Sequence, residues 1–205
     1  MFILVAHTPK GGSGKSTLAR EVAVSGTMAG LTVALADLDP QGTTSGWFRR
    51  RAAEAPVLVR FEPTDTGAEL AAAGVDLLVV DTPPGQPPYL RQLLGRADLV
   101  LVPVRPTPDD LLGAAPIARS LAGRQWAFVL SQVPARSRLT DSAVRQLAAL
   151  GRVAPAHLGF RADFPAAAIE GKAAVEFTGK AADEVRDLFA YTQTMMEERN
   201  APTEI

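Results

Sequence analysis

Short apolar runs alternate with longer segments of mixed polarity along almost the whole chain. The apolar runs are nearly uninterrupted, as in parallel strands that are covered on both faces of a sheet. Each run ends in a loop of glycine, proline, polar or charged residues, which is the usual boundary of a strand. We expect strands at residues 2–6, 31–36, 75–81, 98–104 and 126–130, with shorter ones at 57–61 and 153–158.

The segments between these strands carry apolar residues at helical spacing. We expect helices at residues 15–30, 47–55, 69–73, 89–95, 107–121, 140–150 and 181–199. Strands and helices that alternate in this way predict an α/β fold, in which a doubly wound, mostly parallel sheet is flanked by helices. No internal repeat or linker divides the sequence, so we expect a single domain over residues 1–205.

Composition narrows the possible functions. Cysteine is absent, which excludes disulfides, thiolate metal sites and cysteine nucleophiles. The formal net charge of −1 gives no overall attraction to nucleic acids or anionic lipids, so such a partner would need a local basic patch. The sequence shows neither a secretory signal nor an apolar stretch of roughly 20 residues, so we expect a cytoplasmic protein that does not enter a membrane.

The clearest functional motif directly follows the first apolar run. Glycines between that run and a helical segment let backbone N–H groups turn inward around phosphate oxygens, and the helix N-terminus favours the negative charge. In such a loop, Lys15 would reach the outer phosphates and the Ser16 hydroxyl would bind Mg²⁺. The candidate phosphate-binding residues are Lys10, Gly11, Gly12, Ser13, Gly14, Lys15, Ser16 and Thr17.

The start of this loop departs from the usual pattern. Where most such loops have their first glycine, this chain has Pro9, and Lys10 follows it. A lysine so early in the loop is expected to point away from the phosphates that its own loop binds. Lys10 could therefore serve the nucleotide of a neighbouring molecule.

Carboxylates follow two of the expected strands. Asp37 and Asp39 end the second strand, and Asp81 ends the strand at 75–81. Ligands of open α/β sheets bind at this end of the strands, and Asp81 has the form of the metal-site carboxylate of phosphate-loop enzymes, opposite Ser16. The alternative for Asp37 and Asp39 is turn formation, since Asp-Pro and Gln-Gly pairs are common in turns.

Positive charge is concentrated in two places. Residues 49–51 are three consecutive arginines, a pattern more typical of a solvated surface than of a nucleic-acid site. A mostly basic stretch further on could form a surface that neutralises DNA phosphates, and the alternative is scattered solubilising charge. The candidate DNA-binding residues are Arg136, Arg138, Arg145, Arg152 and Arg161. Asp109 and Asp110, in contrast, are expected to be helix-start residues and not catalytic ones.

Three motifs together resemble the ParA/MinD family of deviant phosphate-loop ATPases. These motifs are KGGSGKST at residues 10–17, DLDPQG at 37–42 and DLLVVDTPPG at 76–85. The segments 101–107 and 171–177 are similar to later motifs of the family, so the resemblance runs over nearly the whole chain. The family often has an asparagine after the sixth strand, where this chain has Ser131 and Gln132.

The resemblance implies a role for each residue of the candidate site. Lys15 would bind the β- and γ-phosphates of ATP, and Thr17 would contact the α-phosphate. Lys10 would be the signature lysine that crosses an ATP-sandwich dimer to the partner's nucleotide. Asp39 would position the attacking water. Ser16, Asp37 and Asp81 would form the Mg²⁺ site.

The resemblance also implies a biological role. The chain is similar to the short partition ATPases, which bind DNA non-specifically as ATP-bound homodimers and position plasmids, chromosomal DNA or protein cargo. A ParB-like or other adaptor stimulates their slow ATP hydrolysis, and DNA binding would place this chain at the nucleoid. The sequence lacks the basic amphipathic C-terminal helix of the membrane-binding division branch.

Two other functions were considered. A metabolic phosphate-loop kinase or ligase would need a site for an acceptor substrate, and the sequence marks none. A carrier of metal clusters uses a related loop but normally relies on cysteines, which this chain lacks.

Overall fold

The computed structural model describes residues 1–64, 67–135 and 139–200. It contains a six-stranded sheet in which all paired strands run parallel. The strands are β1 Phe2–Ala6, β2 Val33–Asp37, β3 Val57–Val59, β4 Leu77–Asp81, β5 Leu99–Val104 and β6 Trp126–Leu130. Their order across the sheet is β3-β2-β4-β1-β5-β6. The doubly wound parallel sheet predicted from the sequence is therefore confirmed.

The helices cover both faces of this sheet. They are α1 Lys15–Met28, α2 Thr43–Phe48, α3 Ala68–Ala72, α4 Leu90–Arg96, α5 Pro108–Ser120, α6 Leu139–Ala148, α7 Asp163–Ile169 and α8 Lys180–Asn200. A short 3₁₀ helix, Ala174–Glu176, lies between α7 and α8. Helices α1 and α8 pack on one face, whereas α4, α5 and α6 pack on the other.

The central strand β1 shows why the strands are apolar throughout. Successive side chains of a strand point to opposite faces, so a strand covered on both sides needs apolar residues at every position. Leu4 packs into the core beneath α1 and α8, while its neighbour Val5 packs into the core beneath α4 and α5. Both side chains are fully buried. This central position fixes the loop that follows β1 at the middle of the sheet edge.

Two expectations about local structure were wrong, and one helix was not expected. Residues 153–158 form no strand; Val153 and Gly159 make single parallel bridges with Phe128 and Val133. Helix α2 spans residues 43–48 and not 47–55, so the three arginines follow its last turn. Helix α7 was not expected, because its sequence is short and carries a proline in its first turn.

None of the helices in the described part of the chain combines the length and the apolar character that a bilayer crossing requires.

Candidate functional site

The glycine-rich loop joins the carboxyl end of β1 to the first turn of α1. Gly12 and Gly14 have φ angles of 69° and 95°, in the left-handed region that glycine adopts at little cost. Gly14 is also the N-cap of α1, and no side chain caps the helix there. The first N–H groups of α1 therefore have no side-chain acceptor, which leaves them to bind an anion such as phosphate.

Lys15 lies inside this loop. Its Nζ donates a hydrogen bond to the backbone carbonyl of Lys10 at 2.9 Å, and the residue is only 6% exposed. Burial lowers the pKa of Lys15, and the nearby charges of Asp81 and Asp39 oppose that shift. The ammonium group of Lys15 is thus held over the loop, close to the carboxylates of Asp81 and Asp39. A phosphate placed there would bind it more strongly than the carbonyl of Lys10 does, because the phosphate is charged.

Lys10 has a different partner. Its Nζ lies 3.1 Å from Oδ1 of Asp110, in the first turn of α5. Its aliphatic chain lies against Gly113, where a Cβ would come within 3.5 Å of the lysine Cε. Asp110 was expected to act only at the start of the helix, and its backbone N–H does bind the capping Thr107 side chain. The sequence analysis missed its contact with Lys10.

The loop after β2 is organised by its two aspartates. Asp37 accepts hydrogen bonds from the backbone N–H of Asp39 at 3.1 Å and of Ser45 at 2.7 Å. Asp39 accepts one from the backbone N–H of Gln41 at 2.9 Å. Both aspartates are partly exposed. Each accepts a hydrogen bond from the backbone two residues further on, as in a turn, which is the alternative that the sequence left open for them. Asp37 thereby fixes the start of α2 beside the phosphate loop.

Asp81 is fully buried at the end of β4. Its Oδ2 accepts a hydrogen bond of 2.7 Å from the Thr44 hydroxyl, whereas its Oδ1 has no hydrogen-bond partner among the described residues. Burial raises the pKa of Asp81 to about 6, against the hydrogen bonds from Thr44 and Ser16. A buried carboxylate oxygen without a partner, close to a serine hydroxyl, is unstable unless a cation or a bound water satisfies it.

These groups fit a Mg²⁺ ion that is held together with phosphate. Within the described ranges, no three His, Cys, Asp or Glu side chains come together as an all-protein metal site requires. Mg²⁺ prefers oxygen ligands and usually keeps several waters while it binds one or two carboxylates and the phosphates of a substrate. Ser16 and the unpartnered oxygen of Asp81 provide such an incomplete oxygen set.

A second group of contacts ties the loop after β6 to the phosphate loop. The Ser131 hydroxyl donates to the carbonyl of Ser13 at 2.6 Å, and the Gln132 amide donates to the carbonyl of Gly12 at 2.7 Å. Gln132 has a φ of 51°, which turns the chain sharply at this point. Beside it lies a cavity of about 400 Å³. Its lining is largely apolar and includes Thr17, Leu158, Phe160, Arg161 and Phe164.

This cavity adjoins the phosphate loop at Gly14 and Thr17, so it is placed to receive the base of a bound nucleotide. The sequence analysis did not find it. The sequence nevertheless contains an indication of this cavity. Ser131 and Gln132 directly follow β6, on the same edge of the sheet as the phosphate loop.

A larger cavity, of about 760 Å³, lies on the other side of Lys10, between α4 and α5. His7 lies at its wall, 4% exposed, with its Nδ1 3.0 Å from the Thr82 hydroxyl. Because that hydroxyl donates to the carbonyl of Ala6, the His7 Nδ1 carries the proton in this contact. Burial and the charge of Lys15 lower the pKa of His7 to about 4, so its ring is neutral at neutral pH.

The candidate DNA-binding arginines do not form one group of unpaired charges. Arg136 and Arg138 lie outside the described residues. Arg145 is exposed on α6, with no ion-pair partner in the described part of the chain. Arg152 pairs with Glu198 at 2.7 Å, and Arg161 pairs with Glu184 at 2.6 Å while lining the smaller cavity. Both of these arginines therefore already have an acidic partner on α8.

Two of the three consecutive arginines make contacts within the protein. The Arg51 guanidinium pairs with Glu176 at 2.8 Å and lies over the ring of the buried Trp47, 5.2 Å from its centroid. Arg50 donates to the carbonyls of Gly46 and Ala168. These contacts join the end of α2 to α7 and to the segment that follows it.

Comparison with known proteins identifies the relatives of this chain. The model of the CobQ/CobB/MinD/ParA nucleotide-binding domain matches residues 4–175. The maintenance of carboxysome distribution protein A of Halothiobacillus neapolitanus is 30% identical over 205 residues, which cover 91% of this chain and 94% of that protein.

Two solved structures have the same fold. The MinC:MinD cell division protein complex of Aquifex aeolicus contains a chain with a TM-score of 0.77 and 15% identity, over 95% of this chain and 96% of that one. A variant of McdA from Cyanothece in complex with ATP has a TM-score of 0.72 and 15% identity, over 100% of this chain and 98% of that one.

Proposed function

The chain belongs to the CobQ/CobB/MinD/ParA nucleotide-binding family, and on this basis we propose that it is an ATP-dependent dimerisation switch. In this proposal two copies close around two ATP molecules, and slow Mg²⁺-dependent hydrolysis of ATP to ADP and phosphate returns them to monomers. An adaptor protein on a cargo would stimulate hydrolysis. The cycle would position that cargo in the cell.

The contrast between the two lysines of the phosphate loop carries the proposal. Lys15 lies within its own loop, whereas the ammonium group of Lys10 binds Asp110 of α5. Catalysis by a monomer gives no reason for a lysine at the start of the phosphate loop whose side chain lies outside that loop. In a dimer, Lys10 supplies a positive charge to the partner's nucleotide, as an arginine finger does in other phosphate-loop enzymes.

The other residues of the site have matching roles. Lys15 and the N–H groups at the start of α1 neutralise the phosphates, and Thr17 contacts the α-phosphate. Ser16 and Asp81 hold Mg²⁺, which offsets charge on the phosphates, and Asp37 supports this site by fixing the start of α2. Asp39 orients the attacking water from the loop after β2. Because phosphoryl transfer depends mostly on positioning and charge, these residues suffice when Lys10 arrives from the partner.

The relatives support a protein assembly as the cargo. The Halothiobacillus relative is named for the distribution of carboxysomes, and we extend this kind of role to the present chain. Non-specific DNA is the proposed surface over which the dimers move, with Arg145 as the first residue to test. The pairing of Arg152 and Arg161 with acids of α8 makes them weaker candidates than the sequence suggested.

The test uses a variant that retains ATP. We expect Asp39→Ala to accumulate as an ATP-bound dimer, because it binds nucleotide but does not position the attacking water. Light scattering coupled to gel filtration should show twice the monomer mass with ATP and the monomer mass with ADP. Cargo positioning and DNA binding are then tested on this trapped state, across a salt series.

Lys10→Ala completes the test. It should bind ATP with nearly unchanged affinity and yet hydrolyse it more slowly at concentrations at which the wild type dimerises. Lys180→Ala removes an exposed lysine at the start of α8 and serves as the control. Loss of ATP binding in Lys10→Ala, or a monomer in every nucleotide state of Asp39→Ala, would contradict the proposal.

The second candidate is a metabolic phosphate-loop kinase or ligase. The observation in its favour is the cavity of about 760 Å³ beside Lys10, which is large enough for a small acceptor substrate. Turnover distinguishes the two functions. Rapid ATP consumption by a monomer in the presence of a small acceptor would favour the enzyme, whereas slow, concentration-dependent hydrolysis would favour the switch.

A further inference from the structure

We infer that the cavity of about 760 Å³ between α4 and α5 is a binding site for a small organic anion with an apolar body. This ligand lies outside the nucleotide site and contacts the loop that follows Asp81. The site itself does not depend on the proposed dimerisation switch, whereas the effect of its ligand on ATP hydrolysis rests on that proposal.

The body of the cavity is apolar and has stiff walls. Leu90 and Leu94 line it from α4, and Ile117 lines it from α5. Four prolines complete these walls, at Pro87, Pro88, Pro103 and Pro116. The ring of proline fixes its own backbone φ angle, so these wall segments have little freedom to close the space. A mostly apolar cavity of roughly 300–1,000 Å³ with a few polar groups is typical of small-molecule sites.

Two arginines give the cavity a positive charge. Arg91 and Arg124 both line it, and neither forms an ion pair with a carboxylate of the described residues. Arg91 lies one turn before Leu94 on the same face of α4, and Arg124 donates from its Nη1 to the Leu94 carbonyl at 2.9 Å. The two guanidinium groups thus meet the cavity at the same part of α4, where one carboxylate or sulfonate can pair with both.

The carboxylate on the cavity wall does not cancel this charge. Asp110 also lines the cavity, but it already pairs with Lys10 at 3.1 Å and with Arg105 at 2.8 Å. These two cations outnumber the one carboxylate at that end of the cavity. Arg91 and Arg124 therefore remain available to an anionic ligand.

His7 provides a hydrogen-bond acceptor on the wall. It is 4% exposed, and its Nδ1 carries the proton that it shares with the Thr82 hydroxyl. Its Nε2 is then an acceptor, and no donor among the described residues binds it. An N–H or O–H group on the ligand would satisfy this buried nitrogen.

The position of the cavity connects it with the ATP site. Residues 86–88 form part of its wall and belong to the loop between Asp81 and α4. The backbone N–H of Gly85 in this loop donates to the carbonyl of Pro9 at 2.8 Å, directly before the phosphate loop. A bound anion restrains this loop, so we expect it to slow ATP hydrolysis.

The experiment uses anilinonaphthalene sulfonate, an aromatic amine with one sulfonate, whose fluorescence rises in apolar surroundings. Saturating ADP is present throughout, so that the cavity beside Gly14 is occupied. Arg91→Gln and Arg124→Gln should each raise the dissociation constant of the probe roughly fivefold, because a charge-assisted contact is lost. Arg119→Gln removes an exposed arginine of α5 that does not line the cavity, and it is the matched control.

A second probe separates charge from shape. Phenylnaphthylamine has the same ring system and N–H group but no sulfonate. Its affinity should be equal in the wild type and in both arginine variants. Thermal unfolding followed by circular dichroism establishes that each variant is folded.

A further measurement concerns the switch. With saturating ATP in place of ADP, saturating anilinonaphthalene sulfonate should slow hydrolysis by the wild type roughly twofold or more. The Arg91→Gln/Arg124→Gln double variant should hydrolyse ATP at the wild-type basal rate and should not respond to the probe.

The outcomes separate the site from its effect. Displacement of the probe by ADP, equal affinity in the wild type and both arginine variants, or equal losses for the charged and uncharged probes would overturn the inference. Arginine-dependent binding without a change in hydrolysis would support the site and overturn its effect on the ATP cycle. If the chain hydrolyses no ATP, the proposed switch fails, and the titrations still decide whether the anion site exists.

Discussion

The candidate nucleotide site has two halves that are built in different ways. The phosphate half consists of residues 10–17, 37–39 and 81, and the base half of residues 131–132 and 158–165. In the phosphate half, charged groups and backbone N–H groups converge from the ends of three adjacent strands. In the base half, the walls are mostly apolar and come from loops after β6 and from α7. One half provides charge, and the other provides shape.

The difference indicates what each half contributes to binding. Charge-assisted contacts to phosphate are strong and do not depend on the base, whereas apolar walls add weaker contacts that accept any base of suitable shape. The halves are joined by the hydrogen bonds of Ser131 and Gln132 to the phosphate loop. Two of the substitutions below test this division, and two more concern residues outside both halves.

The largest effect should come from the phosphate half. Lys15→Ala removes the ammonium group that lies over the loop, and we expect ATP affinity to fall roughly a thousandfold, or about 4 kcal/mol. Calorimetric titration with ATP and with ADP measures this loss. Lys180→Ala again serves as the control. A loss of less than about tenfold would place the main phosphate contacts elsewhere.

The next effect concerns α1, the helix that begins at the phosphate loop. Glu21 is 3% exposed and accepts hydrogen bonds from the backbone N–H groups of Ala174 and Val175, at 2.8 Å and 3.1 Å. Burial raises the pKa of Glu21 to about 7, although these bonds and the charge of Arg20 oppose the shift. In the unfolded chain the pKa is roughly 4.3.

The sign of the pH dependence follows from these values. Between about pH 4 and 7 the folded state binds more protons at Glu21 than the unfolded state, so its contribution to the free energy of unfolding decreases as pH rises. The decrease amounts to about 4 kcal/mol. Glu21→Gln should remove it, which urea denaturation at pH 5 and pH 8 would detect. The exposed Glu170→Gln should leave the pH dependence unchanged.

A smaller effect is expected in the base half. Phe160 is 76% exposed on the wall of the smaller cavity, where its ring is available to contact a base. Phe160→Ala should weaken ATP binding by roughly five- to tenfold, about 1 kcal/mol, because a base–aromatic contact is lost. ADP should be affected equally, and thermal stability should not change. Ile169→Ala, at a similarly exposed residue of α7, is the control in the same titration.

The smallest effect is expected for Arg145, which lies outside both halves of the site. Arg145→Ala should weaken DNA binding by the ATP-bound Asp39→Ala protein roughly threefold at low salt, with a shallower salt dependence. Arg152→Ala should have less effect, since Glu198 already pairs with that arginine. Fluorescence anisotropy with a duplex of arbitrary sequence, read at several salt concentrations, compares the two. Equal losses would indicate that the pairing with α8 opens on DNA.

The sequence predicted the sheet and located the phosphate half. Strands that are buried on both faces appear in the sequence as continuous apolar runs. A loop that binds phosphate through its backbone needs glycines at short, fixed spacing. The strands and the loop can therefore both be recognised from neighbouring residues. Asp81 could be located for the same reason, because it directly ends such a run.

The base half and the cluster around Lys10 could not be predicted in this way. Phe160 and Gln132 come from separate loops, and their neighbours are set only when the chain folds. Arg161 looked like part of a basic stretch because its partner, Glu184, is distant in the sequence. Likewise, Lys10 in the phosphate loop contacts Asp110 in the first turn of α5, and the distance between them in the sequence hides this proximity.

The place of β1 in the sheet also has a consequence for biosynthesis. It leaves the ribosome before the other strands, yet its two neighbours are β4 and β5, and its pairing with Leu77 and Leu99 must wait for those residues. At ordinary translation rates that delay is on the order of ten seconds. During it, an apolar strand and the loop of Lys15 have no neighbouring strand to pair with, which is the state in which unpaired strands associate with other chains.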